Sequence, residues 1–135
     1  HNIRKFIMAL GGEFSFMGNQ YRLVVDEKEY FIDLLFYHRR LQSLVAIELK
    51  YGDFKPEYVG KLNFYLSALD DMVRLPNEHP SIGVILCRGK SEKTVEYALR
   101  DTTKPMGVAT YKAANELPAE YSQALQAIEH LKELI

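Results

Sequence analysis

Asp33, Glu48 and Lys50 are charged residues in segments whose other residues predict buried β-strands. Asp33 has apolar neighbours on both sides, and Glu48 and Lys50 come at the end of an apolar run. Because side chains alternate across a strand, Glu48 and Lys50 share one face while Leu49 points the other way. A carboxylate and an ammonium group are therefore expected together on one face of a strand.

The spacing predicts that the two carboxylates meet. If the two segments pair as antiparallel strands, the chain turns at residues 39–42, so that Asp33 lies six residues before the turn and Glu48 six residues after it. Residues at equal distances from a hairpin turn face each other across the two strands. We therefore expect Asp33 and Glu48 side by side, with Lys50 nearby.

Two carboxylates held together in a half-buried sheet repel each other, and a divalent cation relieves that repulsion. Mg²⁺ prefers hard oxygen ligands and takes one or two carboxylates, with water and substrate phosphate completing its octahedron. The bound ion can activate water and stabilise a phosphoryl oxygen, and a nearby lysine can hold the attacking water. The residues alone leave a second interpretation open, in which Asp33 marks the solvated face of an edge strand and Glu48 and Lys50 are ordinary strand-end charges.

The rest of the pattern predicts the elements that must position these residues. Apolar residues at helical spacing predict helices, and apolar or β-branched runs bounded by turn residues predict strands. The predicted order αβββαβαβα indicates an α/β fold with a mixed sheet flanked by helices, in one domain without an internal linker. The predicted elements are helices over 2–10, 56–73, 94–99 and 118–134, and strands over 20–26, 29–38, 43–50, 82–87 and 106–111.

Length and composition bound the class of protein. The chain has 135 residues, 47% apolar and 26% charged, as is normal for one soluble globular domain. The single Cys87 excludes a disulfide framework, and no apolar run reaches the ~20 residues that a membrane span needs. Seventeen basic and 18 acidic residues give a net charge of -1, which by itself gives no reason to expect a nucleic-acid partner. We expect a cytoplasmic protein with no membrane partner and, from the His1 start, a C-terminal fragment of a longer protein.

Several segments of the chain resemble one family of enzymes. Ile32-Asp33, followed after a hairpin by Ile47-Glu48-Leu49-Lys50, is similar to the core motif of the PD-(D/E)xK nuclease superfamily. The αβββαβ order matches the restriction-endonuclease-like core of that superfamily. From about Ile3 to Tyr111 the chain resembles one branch, the C-terminal nuclease domain of the bacterial YhcG family. The segments that carry this closer resemblance are Gly18-x-Gln20-Tyr21-Arg22, residues 31–38, 48–50, 54–58, 62–68 and 95–99.

The resemblance implies an endonuclease that uses Mg²⁺ or Mn²⁺ to hydrolyse phosphodiester bonds, in DNA rather than RNA. It implies that Asp33 and Glu48 are metal ligands, that the backbone carbonyl of Leu49 is a further ligand, and that Lys50 is the catalytic lysine. Two copies would suit the cutting of two strands, so a homodimer is compatible with this activity.

The chain departs from the superfamily pattern at two places. Many members supply an additional Glu from the first helix, and residues 2–10 contain no carboxylate. Either that residue lies upstream or Glu13 stands in for it. The helix after the core often offers a Gln where this chain has Lys61, which is a candidate contact to phosphate.

Basic residues are spread along the first half of the chain, around the proposed site. An average over the whole chain hides such a local surface, which could track a phosphate backbone. A scatter of solvated charges is the alternative interpretation. The candidates for nucleic-acid binding are Arg22, Arg39, Arg40, Lys55 and Lys61.

Two other functions stay open at this point. The domain could be a nuclease-derived module that binds nucleic acid or protein without cutting. A third function is that of an interaction domain whose final helix, over residues 120–134, packs against another copy. Binding of Mg²⁺ or Mn²⁺ in the presence of DNA separates the enzyme from the module that binds without cutting.

Overall fold

The computed structural model describes residues 14–110, which form a five-stranded sheet with two helices. This βββαβαβ order confirms the predicted core of an α/β fold. The predicted helices over 2–10 and 118–134 lie outside the described residues. The elements are β1 (Phe14–Val25), β2 (Lys28–His38), β3 (Ser43–Leu49), α1 (Glu57–Met72), β4 (Ile82–Cys87), α2 (Glu92–Leu99) and β5 (Met106–Thr110).

The sheet is mixed, as predicted, with the strands in the order β1-β2-β3-β4-β5. The pairs β1–β2 and β2–β3 are antiparallel, whereas β3–β4 and β4–β5 are parallel. Helix α1 connects β3 to β4 and helix α2 connects β4 to β5, which is how parallel neighbours are joined. Strand β3 is therefore central, and all seven of its residues are buried.

Strand β1 begins at Phe14, six residues before the predicted start of that strand. Its first half is irregular, because the pairing with β2 shifts register between Phe16 and Gly18. Gly18 and Gln20 both have positive φ, at 153° and 49°. A bulge and a left-handed residue break the period-2 pattern by which a strand is recognised. This part of β1 was therefore not predicted from the sequence.

A tight turn of two residues, Asp26 and Glu27, joins β1 to β2. Asp26 and Glu27 both have positive φ, at 52° and 66°. Positive φ at both central residues defines the type of two-residue turn whose twist matches that of the flanking strands. Asp is one of the residues that tolerate this conformation, whereas Glu at the second position is unusual.

Helix α1 starts directly after Pro56, close to the predicted start, and its apolar face lies on the sheet. Val59, Leu62 and Leu66 are among its buried residues and follow helical spacing. The helix lies close to β4, because a side-chain carbon added at Gly83 would be 2.8 Å from Leu62. Glycine at this position therefore permits the close contact of helix and sheet.

The two faces of the sheet carry separate apolar clusters. Leu44 and Ala46 of β3 belong to the cluster that includes the buried residues of α1. The alternate residues of β3, including Leu49, belong to the second cluster on the opposite face. Glu48 alternates with Leu49, as predicted, and therefore lies on the face that carries α1. Neither described helix is long and apolar enough to cross a membrane.

Candidate active site

Asp33 and Glu48 are neighbours across strands β2 and β3. The antiparallel register pairs Leu34 with Ile47, so the next positions along the two strands are Asp33 and Glu48. Both are almost completely buried, with 4% and 3% of their surface exposed. The structure thus brings the two predicted carboxylates together, as the count of residues from the hairpin turn predicted.

The two carboxylates are bound to each other's strands by hydrogen bonds. The backbone N–H of Asp33 donates to Oε2 of Glu48 at 3.0 Å, and the backbone N–H of Leu49 donates to Oδ2 of Asp33 at 2.8 Å. Side-chain oxygens thus accept N–H groups where a regular ladder uses backbone carbonyls. These bonds hold both carboxylates in place between the strands.

The alternation of β2 shifts phase at this point. Ile32 and Leu35 are three residues apart and would face opposite sides of a regular strand. Both are fully buried in the cluster that includes α1. The side-chain direction therefore changes between them, where Asp33 gives its N–H to a side chain.

Gln20 on β1 holds the other oxygen of the aspartate. Its Nε2 donates to Oδ1 of Asp33 at 3.2 Å. Gln20 lies opposite Asp33 because the register pairs Tyr21 with Ile32 and Asn19 with Leu34. Sequence reasoning did not identify Gln20 as a site residue, although it lies in one of the segments that resemble the YhcG family.

Lys50 follows β3 and lies against helix α1. Its backbone N–H donates to the carbonyl of Leu86 at 2.8 Å, which extends the pairing with β4 beyond the end of β3. Its Nζ lies 4.5 Å from the ring centroid of Tyr58, a distance at which a cation and an aromatic ring attract each other. Tyr58 is on α1, so Lys50 lies on the same side of the sheet as Glu48.

Cys87 is buried beside Lys50 and is not a nucleophile. The parallel register places Leu49 opposite Leu86, and hence Lys50 opposite Cys87. Burial raises the pKa of the Cys87 thiol to about 11, although the positive charge of Lys50 lowers it in part. A thiol that stays protonated and has no exposed surface acts as a small apolar side chain.

Tyr65 on α1 faces the two carboxylates. Burial raises its pKa well above the usual range, and the negative charges of Glu48 and Asp33 add to this effect. A hydrogen bond to the backbone of Phe31 works in the opposite direction. Tyr65 is therefore a neutral phenol beside the acidic pair. Tyr65 also follows the helical spacing of the buried apolar residues of α1, so the sequence pattern gave no separate signal of its place beside the carboxylates.

A cavity of about 470 Å³ opens beside Asp33 between β1, β2 and α1. Gln20 and Lys61 contribute polar groups to its lining, and Lys61 Nζ lies 5.7 Å from the ring centroid of Tyr65. The structure therefore brings Lys61, the candidate phosphate contact, to the same cavity as Asp33. Glu13, the candidate accessory carboxylate, lies outside the described residues.

The other predicted basic residues differ in their distance from the acidic pair. Arg22 is exposed and forms an ion pair with Glu29, which also lines the cavity. Lys55 is exposed and directly precedes Pro56 at the start of α1. Arg39 and Arg40 lie in the turn at the far end of the β2–β3 hairpin, roughly 20 Å from Asp33 at the rise of a strand.

The oxygen atoms at this site are of the kind that Mg²⁺ prefers. The two buried carboxylates match the one or two that a protein commonly supplies to this ion, with water and phosphate supplying the rest. Among residues 14–110, no group of three or more His, Cys, Asp or Glu side chains could hold a metal ion. The carboxylate donors that the described residues bring together at this site are Asp33 and Glu48.

Two solved structures share this fold. A repair endonuclease from Pyrococcus abyssi aligns with a TM-score of 0.55 and 12% identity, over 82% of this chain and 45% of that chain. EndoMS in complex with dsDNA aligns with a TM-score of 0.54 and 11% identity, over 82% of this chain and 43% of that chain. The chain therefore has the α/β fold of these two proteins, with a mixed sheet and flanking helices, which confirms the expected fold class.

Sequence comparison then identifies the family. The profile of the YhcG PDDEXK nuclease domain matches residues 1–126. A relative from Escherichia coli (strain K12), named "Putative nuclease YhcG", is 37% identical over 120 residues. The aligned region covers 89% of this chain and 32% of that protein, so the chain spans about a third of its relative. This chain belongs to the YhcG PDDEXK nuclease domain family, as the resemblance in its sequence implied.

Proposed function

We propose that this domain is an endonuclease that uses Mg²⁺ or Mn²⁺ to hydrolyse phosphodiester bonds in DNA. One observation carries the proposal: Asp33 and Glu48 are buried side by side, and Lys50 lies on the same side of the sheet. Membership of a nuclease family supports the reaction. A structural neighbour that was solved with dsDNA supports the choice of DNA.

Asp33 and Glu48 would hold the ion, and the backbone carbonyl of Leu49 is the proposed further ligand. Hydrogen bonds from backbone N–H groups fix both carboxylates, so little reorganisation is needed when the ion binds. When bound, the ion supplies Lewis acidity to the phosphoryl group and activates a water molecule. Gln20 fixes the second oxygen of Asp33 and would act as a positioning residue.

Lys50 would act on the attacking water and on the phosphate. Its ammonium group lies 4.5 Å from the centre of the Tyr58 ring. A fixed positive charge at this place orients the water and stabilises the negative charge that develops on the phosphoryl oxygens. Because Lys50 follows Glu48 by two residues, the metal ligand and the lysine are positioned by the same strand.

The basic residues would bind the phosphates that flank the cleaved bond. Lys61 lines the same cavity as Asp33, which none of the other four candidates does. Arg39 and Arg40 lie roughly 20 Å from Asp33 by the rise of a strand. That distance corresponds to about six base-pair steps of duplex DNA. Together with Arg22 and Lys55, they form the proposed nucleic-acid surface.

The test compares isosteric variants at the acidic pair with a control at a partly buried acid, Asp70 on α1. Asp33→Asn and Glu48→Gln should each lower cleavage of plasmid and of labelled duplex DNA by at least about 100-fold in Mg²⁺. Asp70 on α1 is the matched control, because its carboxylate, like those of the acidic pair, accepts a backbone N–H, that of Ser81, at 2.9 Å. Asp70→Asn should retain cleavage, even if the protein becomes less stable.

Two outcomes would contradict the proposal in different ways. Wild-type cleavage rates in Asp33→Asn or Glu48→Gln would show that the acidic pair does not hold the catalytic ion. A wild-type domain that binds DNA but neither binds Mg²⁺ or Mn²⁺ nor cuts would instead be an inactive binding module. Calorimetric titration with each metal, alongside the cleavage assay, separates these outcomes.

A further inference from the structure

Gln20 has a backbone conformation that glutamine rarely adopts. Its φ is 49°, in the left-handed region, and it follows the shift in register between β1 and β2 at Gly18. Residues with side chains are disfavoured in this region, and those that adopt it concentrate at binding and catalytic sites. The irregular part of β1 therefore ends at a residue whose side chain reaches the carboxylate of Asp33.

The amide of Gln20 has one more hydrogen than Asp33 uses. Nε2 carries two hydrogens, and one of them is donated to Oδ1 of Asp33 at 3.2 Å. Asp33 is the hydrogen-bond partner of this amide within residues 14–110. Gln20 is half-buried and lines the cavity beside Asp33. A second N–H is therefore available to a ligand in that cavity.

Lys61 contributes a second donor to the same cavity. It lines the cavity from α1, and its Nζ lies 5.7 Å from the ring centroid of Tyr65. Amide and ammonium groups both donate hydrogen bonds, and glutamine and lysine are both among the side chains that contact the phosphates of nucleic acids. The cavity volume of about 470 Å³ lies in the range of about 300–1,000 Å³ that is usual for small-ligand sites. The cavity thus combines two donors of the kind that phosphate oxygens accept from.

A neutral donor suits a position beside a proposed metal ligand. A lysine or arginine at residue 20 would form an ion pair with Asp33 and compete with a metal ion for its charge. The amide of Gln20 holds Asp33 by a hydrogen bond and leaves that negative charge to the ion. The remaining N–H can then bind a second negatively charged group in the cavity.

We propose that Gln20 contacts the substrate directly, and that its amide donates one N–H to Asp33 and the other to a phosphate that Lys61 also contacts. The inference rests on the proposed function and adds a substrate-binding residue to it. One amide would join the metal ligand to the nucleic acid, so that entry of a phosphate into the cavity fixes the orientation of Asp33. A residue that only positioned Asp33 would not change the affinity for nucleic acid.

The test measures the Kd of a duplex DNA oligonucleotide at several salt concentrations, with EDTA present so that no cleavage occurs. Gln20→Met removes both N–H groups at similar side-chain length and should weaken binding about tenfold at each salt concentration. The slope of log Kd against log salt should stay that of the wild type, because a neutral amide displaces no counterion. Lys61→Met should instead make the slope shallower by about one.

A matched control and a second variant make the result specific. Gln42 also has positive φ, at 53°, but lies in the turn between β2 and β3 and does not line the cavity. Gln42→Met should therefore leave the affinity and the slope unchanged. Gln20→Asn keeps an amide on a residue type that tolerates positive φ, so it tests the contact even if Gln20→Met does not fold. Its shorter side chain should also weaken binding about tenfold.

The outcomes separate this inference from the proposed function. An unchanged Kd in the folded Gln20 variants, with only kcat lowered in Mg²⁺, would leave Gln20 a positioning residue and overturn the contact with substrate. Cleavage that depends on Asp33 and Glu48 would stand in that case. An equal loss of affinity in Gln42→Met would also overturn the contact. A loss confined to the Gln20 variants, together with cleavage that is indifferent to Asp33 and Glu48, would support the contact and refute the metal-dependent reaction.

Discussion

Asp33 donates its backbone N–H to the side chain of Glu48, while its own carboxylate accepts the N–H of the residue that follows Glu48. Each carboxylate therefore has two properties: it accepts a backbone N–H of the neighbouring strand, and it places a negative charge close to the other carboxylate. The first property stabilises the pairing of β2 and β3, and the second destabilises it through repulsion. Substitutions that remove one property and keep the other distinguish these two effects.

Glu48→Gln keeps an oxygen that can accept the N–H of Asp33 and removes one charge from the pair. Without metal, this variant should therefore melt at a temperature no lower than the wild type. Glu48→Ala leaves the N–H of Asp33 without an acceptor and should lose about 1–3 kcal/mol of unfolding free energy. Added Mg²⁺ should raise the Tm of the wild type and not that of Glu48→Gln, because only the intact pair binds the ion. Equal stabilisation of both by Mg²⁺ would place the ion elsewhere.

Tyr58 should act as a positioning residue for Lys50 through the face of its ring. Tyr58→Leu removes the ring and should lower kcat for DNA cleavage by about 2- to 5-fold, from a cation–π attraction of about 0.5–1 kcal/mol. KM should change little, because Tyr58 is not placed at the nucleic-acid surface. Tyr58→Phe keeps the ring and should retain the wild-type kcat. An equal loss in both variants would assign the effect to the hydroxyl group instead.

Tyr65 should make the stability of the domain fall at alkaline pH. Burial, together with Glu48 and Asp33, raises its pKa, so the folded protein holds the phenol proton more tightly than the unfolded chain does. Unfolded tyrosines ionise near pH ~10, so this stabilisation is fully present below that pH and is lost as the pH rises further.

Urea unfolding of the metal-free protein between about pH 9 and about pH 11 measures this effect. Tyr65→Phe should make the unfolding free energy fall less steeply with pH over this interval. Tyr97, which is exposed on α2, is the matched control, and Tyr97→Phe should keep the wild-type slope. The same slope in all three proteins would refute the assignment to Tyr65.

Gly83 should be intolerant of a methyl group because α1 lies against it. A Cβ at this position would be 2.8 Å from Leu62 and 3.0 Å from Leu66, so Gly83→Ala should lose about 1–3 kcal/mol of unfolding free energy. Gly107 on the neighbouring strand β5 is the control, since no atom of the described chain lies within 4 Å of a Cβ added there. Gly107→Ala should leave the midpoint of urea unfolding unchanged or slightly higher.

The parts of the fold that follow simple periodicity were predictable from the sequence. Strand β4 was predicted with its observed bounds, and the helix predicted over 94–99 ends at Leu99, where α2 ends. The meeting of Asp33 and Glu48 followed from counting residues on both sides of one turn. The roles of these residues in metal binding stay predictions.

The features that could not be predicted from the sequence depend on irregular backbone, or on a residue that both fits the apolar pattern of its element and lies at the site. Gln20, which hydrogen-bonds Asp33, itself has positive φ and lies close to a shift in the register of β1 and β2. Periodicity in the sequence does not predict either feature. Tyr65 satisfies the apolar pattern of a helix, so its place beside the acidic pair leaves no separate trace.

The central position of β3 also determines the order in which the site can assemble. The contacts that join Asp33 to Glu48 and Leu49 span 15 and 16 residues, so a chain leaving the ribosome can form them as a local hairpin. Lys50 pairs with Leu86, which is synthesised only after the whole of α1. Because contacts between nearby residues form sooner than those between distant ones, the two carboxylates can meet before the lysine has its neighbours. During synthesis, the pair of Asp33 and Glu48 can therefore form before Lys50 is fixed against β4.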